Sequence, residues 1–189
     1  MIRLKDRIVL GACCALLASL PPKLANTIEY RLGLTDEQYN QTASSLLLSK
    51  SQARSNSTES KIVGSLINNT VVAASGVIIC YLLSISGRDK AVLKGAGFGA
   101  IQWVGVWGLT GRLGLKVWSK KPLTHILSFI DHLIFGAGTA WLVSKLGDDS
   151  LFPDTRALGP EEKLPLVSNP PRKLRLSTRR RRRLIKGSA

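Results

Sequence analysis

The chain has 189 residues, enough for one ordinary domain, and carries 27 Lys and Arg against 12 Asp and Glu, a net charge of +15. Hydrophobic residues make up 44% and collect in long uncharged blocks, with the charges confined between them. A water-solvated core mixes the two at helix or strand period, so this segregation argues against a soluble domain and for a bilayer.

The first block, Ile8 to Pro22, is fifteen uncharged residues behind the basic stretch Met1-Ile-Arg-Leu-Lys-Asp-Arg7. A basic start and a short apolar run outline a signal peptide, but no usable small-x-small cleavage site follows. The expectation is an uncleaved helix over about 8–28, reaching past Pro21-Pro22 with Lys23 snorkelling. The fifteen residues alone rise about 22 Å, short of the roughly 30 Å hydrocarbon core, so this span is either tilted with its flanks or re-entrant. Residues 29–61 are polar, rich in Ser, Thr, Asn and Gln, with one apolar island at Leu46-Leu47-Leu48; the Leu-rich stretch Ala43 to Lys50 fits a helical turn at the interface, and Ser49 to Ser60 reads as a loop.

The second block, Ile62 to Gly87, is 26 uncharged residues and gives the clearest span, 62–86. Its β-branched content would suggest strands in water. In lipid only helices and closed barrels satisfy the backbone, and period-2 alternation is missing. The third block, Gly95 to Gly111, extends to a span of about 95–115. Glycines at 95, 99, 105, 108 and 111 make a bare ridge. Such a ridge costs about 1 kcal/mol per residue in water but permits close helix approach in a membrane. The fourth block gives a span at 122–144, with Pro122 suited to a first helical turn.

Three cysteines, Cys13, Cys14 and Cys80, all sit in apolar blocks with neither zinc nor redox spacing, and read as small packing residues. No nucleotide, hydrolase or metalloprotease motif occurs, and neither a metal nor a cofactor is expected.

The sharpest residue is Asp131, near the middle of the fourth span, where a charge costs roughly 3 kcal/mol. His125 and His132 lie seven residues apart and share a helix face. Gln102 lies at similar depth, and Asn68 and Asn69 lie nearer one end of the second span. One reading makes this set a proton, ion or substrate site between helices. The other makes it interhelical glue.

After residue 146 the chain becomes a tail, 147–189, broken by Pro153, Pro160, Pro165, Pro170 and Pro171. Nine basic residues follow: Arg172, Lys173, Arg175, Arg179, Arg180, Arg181, Arg182, Arg183 and Lys186. The expected partner is an anionic leaflet, at about 1 kcal/mol per basic residue. Nucleic acid is the lesser alternative, because no aromatic side chain interleaves the arginines. With four spans and a cytosolic N-terminus, cytosolic segments hold 18 Lys and Arg against 9 outside. Restricting the tail to residues 145–164 gives 9 against 9, so the tail itself decides for a cytosolic C-terminus.

The stretch Lys121-Pro-Leu-Thr-His-Ile-Leu-Ser-Phe-Ile-Asp-His-Leu-Ile-Phe-Gly136, behind a Gly/Trp-rich helix, resembles small uncharacterised multi-pass membrane proteins of bacteria over about residues 60–146. The resemblance implies a plasma-membrane location and no particular activity. The sequence thus predicts an all-α membrane protein: a bundle of about four transmembrane helices over 1–146, and a disordered basic tail over 147–189. The expected role is non-enzymatic, with self-association through the glycine ridge. A small transporter or channel-like subunit built on the Asp/His site is the alternative.

Overall fold

The computed structural model describes residues 3–55, 57–109, 119 and 121–152. Over these residues the chain is helical. It forms α1 (Arg7–Ala18), α2 (Leu20–Arg31), α3 (Tyr39–Ser44), α4 (Lys50–Arg54), α5 (Thr58–Ser86), α6 (Ala91–Val104) and α7 (Pro122–Leu146). A π turn, Gly105–Leu109, continues α6, and a 3-10 turn, Asp149–Leu151, follows α7.

Local chemistry sets the helix ends. The Asp6 carboxylate accepts from the Ile8 and Val9 amides at 2.8 and 2.9 Å and starts α1. Pro21 and Pro22 lack the amides that would bond one turn back, so the rod bends at Ser19 instead of ending there. Ser19 N still donates to the Ala15 carbonyl, and Lys23 N to the Ser19 carbonyl. Ser57 caps α5 through the Ser60 amide, and Gly87, at φ 79°, ends it in a conformation that glycine adopts freely.

Contacts at the two ends show that the chain alternates direction. At one end Leu4 N donates to the Leu146 carbonyl at 3.0 Å and Asp148 N to the Leu4 carbonyl at 2.9 Å. Arg88, in the α5–α6 turn, bonds Asp149 at 2.8 Å, and Arg3 also pairs with Asp149. At the other end Asp36 accepts from Thr124 Oγ1 at 3.1 Å and from Ser119, while Lys121 donates to the Gly33 carbonyl. The N-terminal segment, the 87–90 turn and the chain after α7 therefore share one end. The α2–α3 and pre-α7 connections share the opposite end.

Three of these helices are long and apolar enough to cross a membrane: Arg7–Arg31 taken through the Ser19 bend, α5 and α7. The first exceeds the fifteen-residue block because the bend does not break it. At 25 residues it rises about 37 Å. The expected fourth span does not reach that length among the described residues. The 14 residues of α6 rise about 21 Å before the π turn Gly105–Leu109 continues them, and the remainder of 95–115 from residue 110 onward lies outside the description, as does Gly111. The tail from residue 153, with all nine predicted lipid-binding cations, lies outside it too.

The burial pattern is compatible with a bundle in an apolar solvent. Large apolar side chains point outward on every long helix, among them Leu17, Leu66, Ile78, Ile101, Ile126 and Ile134. A water-soluble monomer rarely exposes contiguous apolar surface on this scale. The interior is built largely from small and polar residues: Gly11, Cys14, Ala15, Ser75, Gly76, Cys80, Ser128, Gly136, Thr139 and Ala140. Cys14 and Cys80 are buried packing residues as expected, whereas Cys13 is exposed.

Small residues set two close helix crossings. A methyl group at Gly11 would meet the Gly76 carbonyl, and one at Gly76 the Gly11 carbonyl, so α1 and α5 touch backbone to backbone. The same holds for Gly95 and Gly99 of α6 against Gly136 and the His132 carbonyl of α7. The predicted Gly95/Gly99 motif is thus occupied within the chain by α7. Gly105 and Gly108 face open space.

Within residues 29–61, α3 ends where the interfacial turn is expected and α4 lies inside the expected loop of Ser49 to Ser60. Thr35, Glu37, Ser44, Ser45 and Ala53 are buried, and α3 packs on α5 with the Asn40 carbonyl against Gly64. The Ser/Asn/Gln richness that reads as loop here supplies caps and hydrogen bonds that let polar backbone fold back onto the bundle. Among these, the Gln52 side chain closes on Ser49 N at 3.2 Å.

Gly136→Val should drive a side chain into the α6 backbone, at the upper end of the about 1–3 kcal/mol typical of overpacking. Gly97→Ala meets nothing within 4 Å and should leave the unfolding temperature in detergent unchanged or raise it slightly, since alanine favours the helix.

Hydrogen bonds from Arg88 and then Arg3 hold the Asp149 carboxyl below the usual carboxylate range. That stabilisation is present above the unfolded-state value of about 3.9 and is lost as pH falls through the lower folded-state value. The unfolding midpoint should therefore drop below about pH 4. An Asp149→Asn variant should lack this part of the drop, as a pH series of melts would show.

Candidate functional site

Asp131 sits on the inward face of α7 and is 5% exposed. Its neighbour comes from outside the predicted spans. Tyr39, the first residue of α3, donates its phenolic proton to Asp131 Oδ2 at 2.5 Å. Tyr39 is itself held by α2. Asn26, buried, accepts from Tyr39 N at 3.1 Å and donates to the Glu37 carbonyl at 3.3 Å, which fixes the entry of α3. Burial first, then the charge and hydrogen bond of Asp131, with Glu29 adding, hold the Tyr39 phenol well above its ordinary value. Tyr39 therefore stays a donor at all physiological pH. No ion pair joins Asp131 to Lys, Arg or His among the described residues.

His132 faces the same region. Its Nδ1 lies 2.7 Å from the Ser128 carbonyl. A carbonyl only accepts, so Nδ1 carries the proton. The ring stands edge-on to Tyr39, with centroids 6.1 Å apart. Gln102 of α6 donates from Nε2 to Ser75 Oγ at 3.0 Å, and its Oε1 is buried without a partner.

These groups surround a half-open cavity of about 170 Å³ between the Ser19 bend, α3, α5, α6 and α7. Its walls are mainly apolar, with Val71, Val106 and Phe135 among them. Of the six residues predicted as an intramembrane polar site, Asp131, His132, Gln102 and Asn68 line this cavity. Asn69 and His125 do not. Asn69 Oδ1 accepts from Lys23 Nζ at 2.6 Å, so the lysine expected to snorkel is tied to α5. Lys23 also lines the cavity rim.

Sequence reasoning missed Tyr39 and Asn26. Tyr39 stands in a polar stretch with no apolar period around it. Asn26 lies within the expected first span and carries the one usable signal, an uncharged polar side chain inside an apolar helix, which must find a partner.

Comparison with protein-family models, with curated proteins and with solved structures found no match.

Removing the phenol in Tyr39→Phe should cost about 1.5–3 kcal/mol, the range for a hydrogen bond to a charged group. The double variant Tyr39→Phe/Asp131→Asn should cost less than the sum of the two single variants. Chemical unfolding of all three in detergent checks both statements.

Proposed function

We propose that this chain is a non-enzymatic, multi-pass integral membrane protein whose working part is the cavity beside Asp131, in the manner of a small carrier or channel-like subunit. The observation that carries the reading is the convergence of Asp131, His132, Gln102 and Asn68 on one mainly apolar, half-open cavity. Interhelical glue alone needs a polar pair but no space beside it. Asp131 already has its pair in Tyr39, and the cavity is additional.

The arrangement also favours this reading over self-association through Gly95 and Gly99, because α7 already covers those glycines. Four passes would place residues 3–6, the 87–90 turn and the tail on the cytosolic side of a plasma membrane. The nine cations of 172–186 would then lie against its anionic leaflet, a partner that needs no folded recognition surface.

Accessibility of single cysteines in intact cells tests the whole reading, after Cys13, Cys14 and Cys80 are replaced by Ala. Lys5→Cys should react with an impermeant maleimide only after permeabilisation, and Leu32→Cys without it. Thr42→Cys, on the cavity wall, should react with a small permeant maleimide. Labelling of positions 5 and 32 from the same side would remove the first crossing and with it the four-pass arrangement. An unreactive position 42 would remove the cavity as a site.

A further inference from the structure

Resting on that reading, we infer that the cavity takes a lipid-soluble amine: a primary ammonium head on an apolar body. The head is assigned from the charge and the acceptor that the internal bonds leave unmatched. The Tyr39 phenol is spent on Asp131 Oδ2. The Gln102 amide donates to Ser75 and leaves Oε1 buried with no partner. The Asn68 amide donates to Asn40 Oδ1 at 3.3 Å. The Lys23 ammonium, the cation on the cavity wall, already donates to Asn69. The Gln102 and Asn68 amides and the Lys23 ammonium each keep further N–H donors; the lining also holds an acceptor without a hydrogen-bond partner, Gln102 Oε1, and, in the Asp131 carboxylate, an anion with no ion pair among the described residues.

A carboxylate at this depth is costly unless a cation joins it. An ammonium has three donors and no acceptor, so it matches the Asp131 carboxylate and Gln102 Oε1, whereas a carboxylate or phosphate head would bring a second anion up to Asp131. The body is assigned from the walls. They are mainly apolar, and the cavity opens on one side among helices whose outer faces are also apolar. A chain longer than the cavity can therefore continue into the surrounding hydrocarbon.

The test uses the full chain in phosphatidylcholine nanodiscs and reads its thermal unfolding midpoint with octylamine, octanol and octanoate. A ligand that binds only the folded state raises the midpoint. Octylamine should raise it, octanol weakly and octanoate not at all. Asp131→Asn should weaken octylamine binding by about tenfold or more, as loss of a charged hydrogen-bond partner does. Gln102→Leu should weaken it less, and serves if Asp131→Asn does not fold. Replacing part of the phosphatidylcholine by phosphatidylethanolamine separates the two sources of the amine. A midpoint raised by that lipid and insensitive to added octylamine names a membrane lipid, and the reverse names a free amine. Equal shifts from all three octyl compounds, abolished together by the cavity-filling Ala43→Trp, would keep the ligand site and overturn the amine. So would a shift from octanoate alone. No shift from any compound, with Ala43→Trp behaving as wild type, would overturn the site and the amine together.

Discussion

The bundle depends on backbone touching backbone. At Gly11 against Gly76, and at Gly95 and Gly99 against Gly136, the distance between helices is set by main-chain atoms. Lipid offers no hydrophobic force to drive apolar side chains together, so association rests on close dispersion contact and a few hydrogen bonds. Two glycine-mediated pairs, α1 with α5 and α6 with α7, are then joined by contacts of α7 with α1 and α5. The cavity lies where the pairs meet, and none of the described glycines lines it. Close approach in one place leaves separation elsewhere, because straight helices cross at an angle.

That separation explains how α3 comes to lie against the bundle. A six-residue helix in a polar stretch has no apolar face of its own to bury. It is held instead by the Asn26 clamp, by the Asn40 carbonyl on Gly64 and by the Tyr39–Asp131 bond. The carboxylate is thus a structural anchor on one oxygen while its surroundings stay open on another side. Structural and functional readings of Asp131 describe two parts of the same group.

The long helices and their apolar outer faces were legible in the sequence because burial in lipid leaves a run of uncharged residues that needs no period to detect. So was the set Asp131, His132, Gln102 and Asn68, since polar residues inside such runs are few and must find partners. Of the expected fourth span, 95–109 is helical and the rest lies outside the described residues. Glycine spacing reports close packing without saying whether the neighbour is another copy or, as for Gly95 and Gly99, the next helix of the same chain. The small faces at Gly11/Ala15 and Gly76/Cys80 were equally visible and carried the same information. Residues 29–61 were illegible for a different reason. Propensity and period speak for secondary structure that buries apolar surface, and this segment is fixed by polar contacts to residues far away in the chain.

The pairing of Leu4 with Gly147 has a topological meaning. It closes the helical body into a ring, joining the first described residues to the segment that leads into the tail. Such a contact has a very large sequence separation, so the loop it closes is long and its closure costs conformational entropy. A chain cut in the connection between α4 and α5 and rejoined across this seam would keep the neighbour relations of all seven helices.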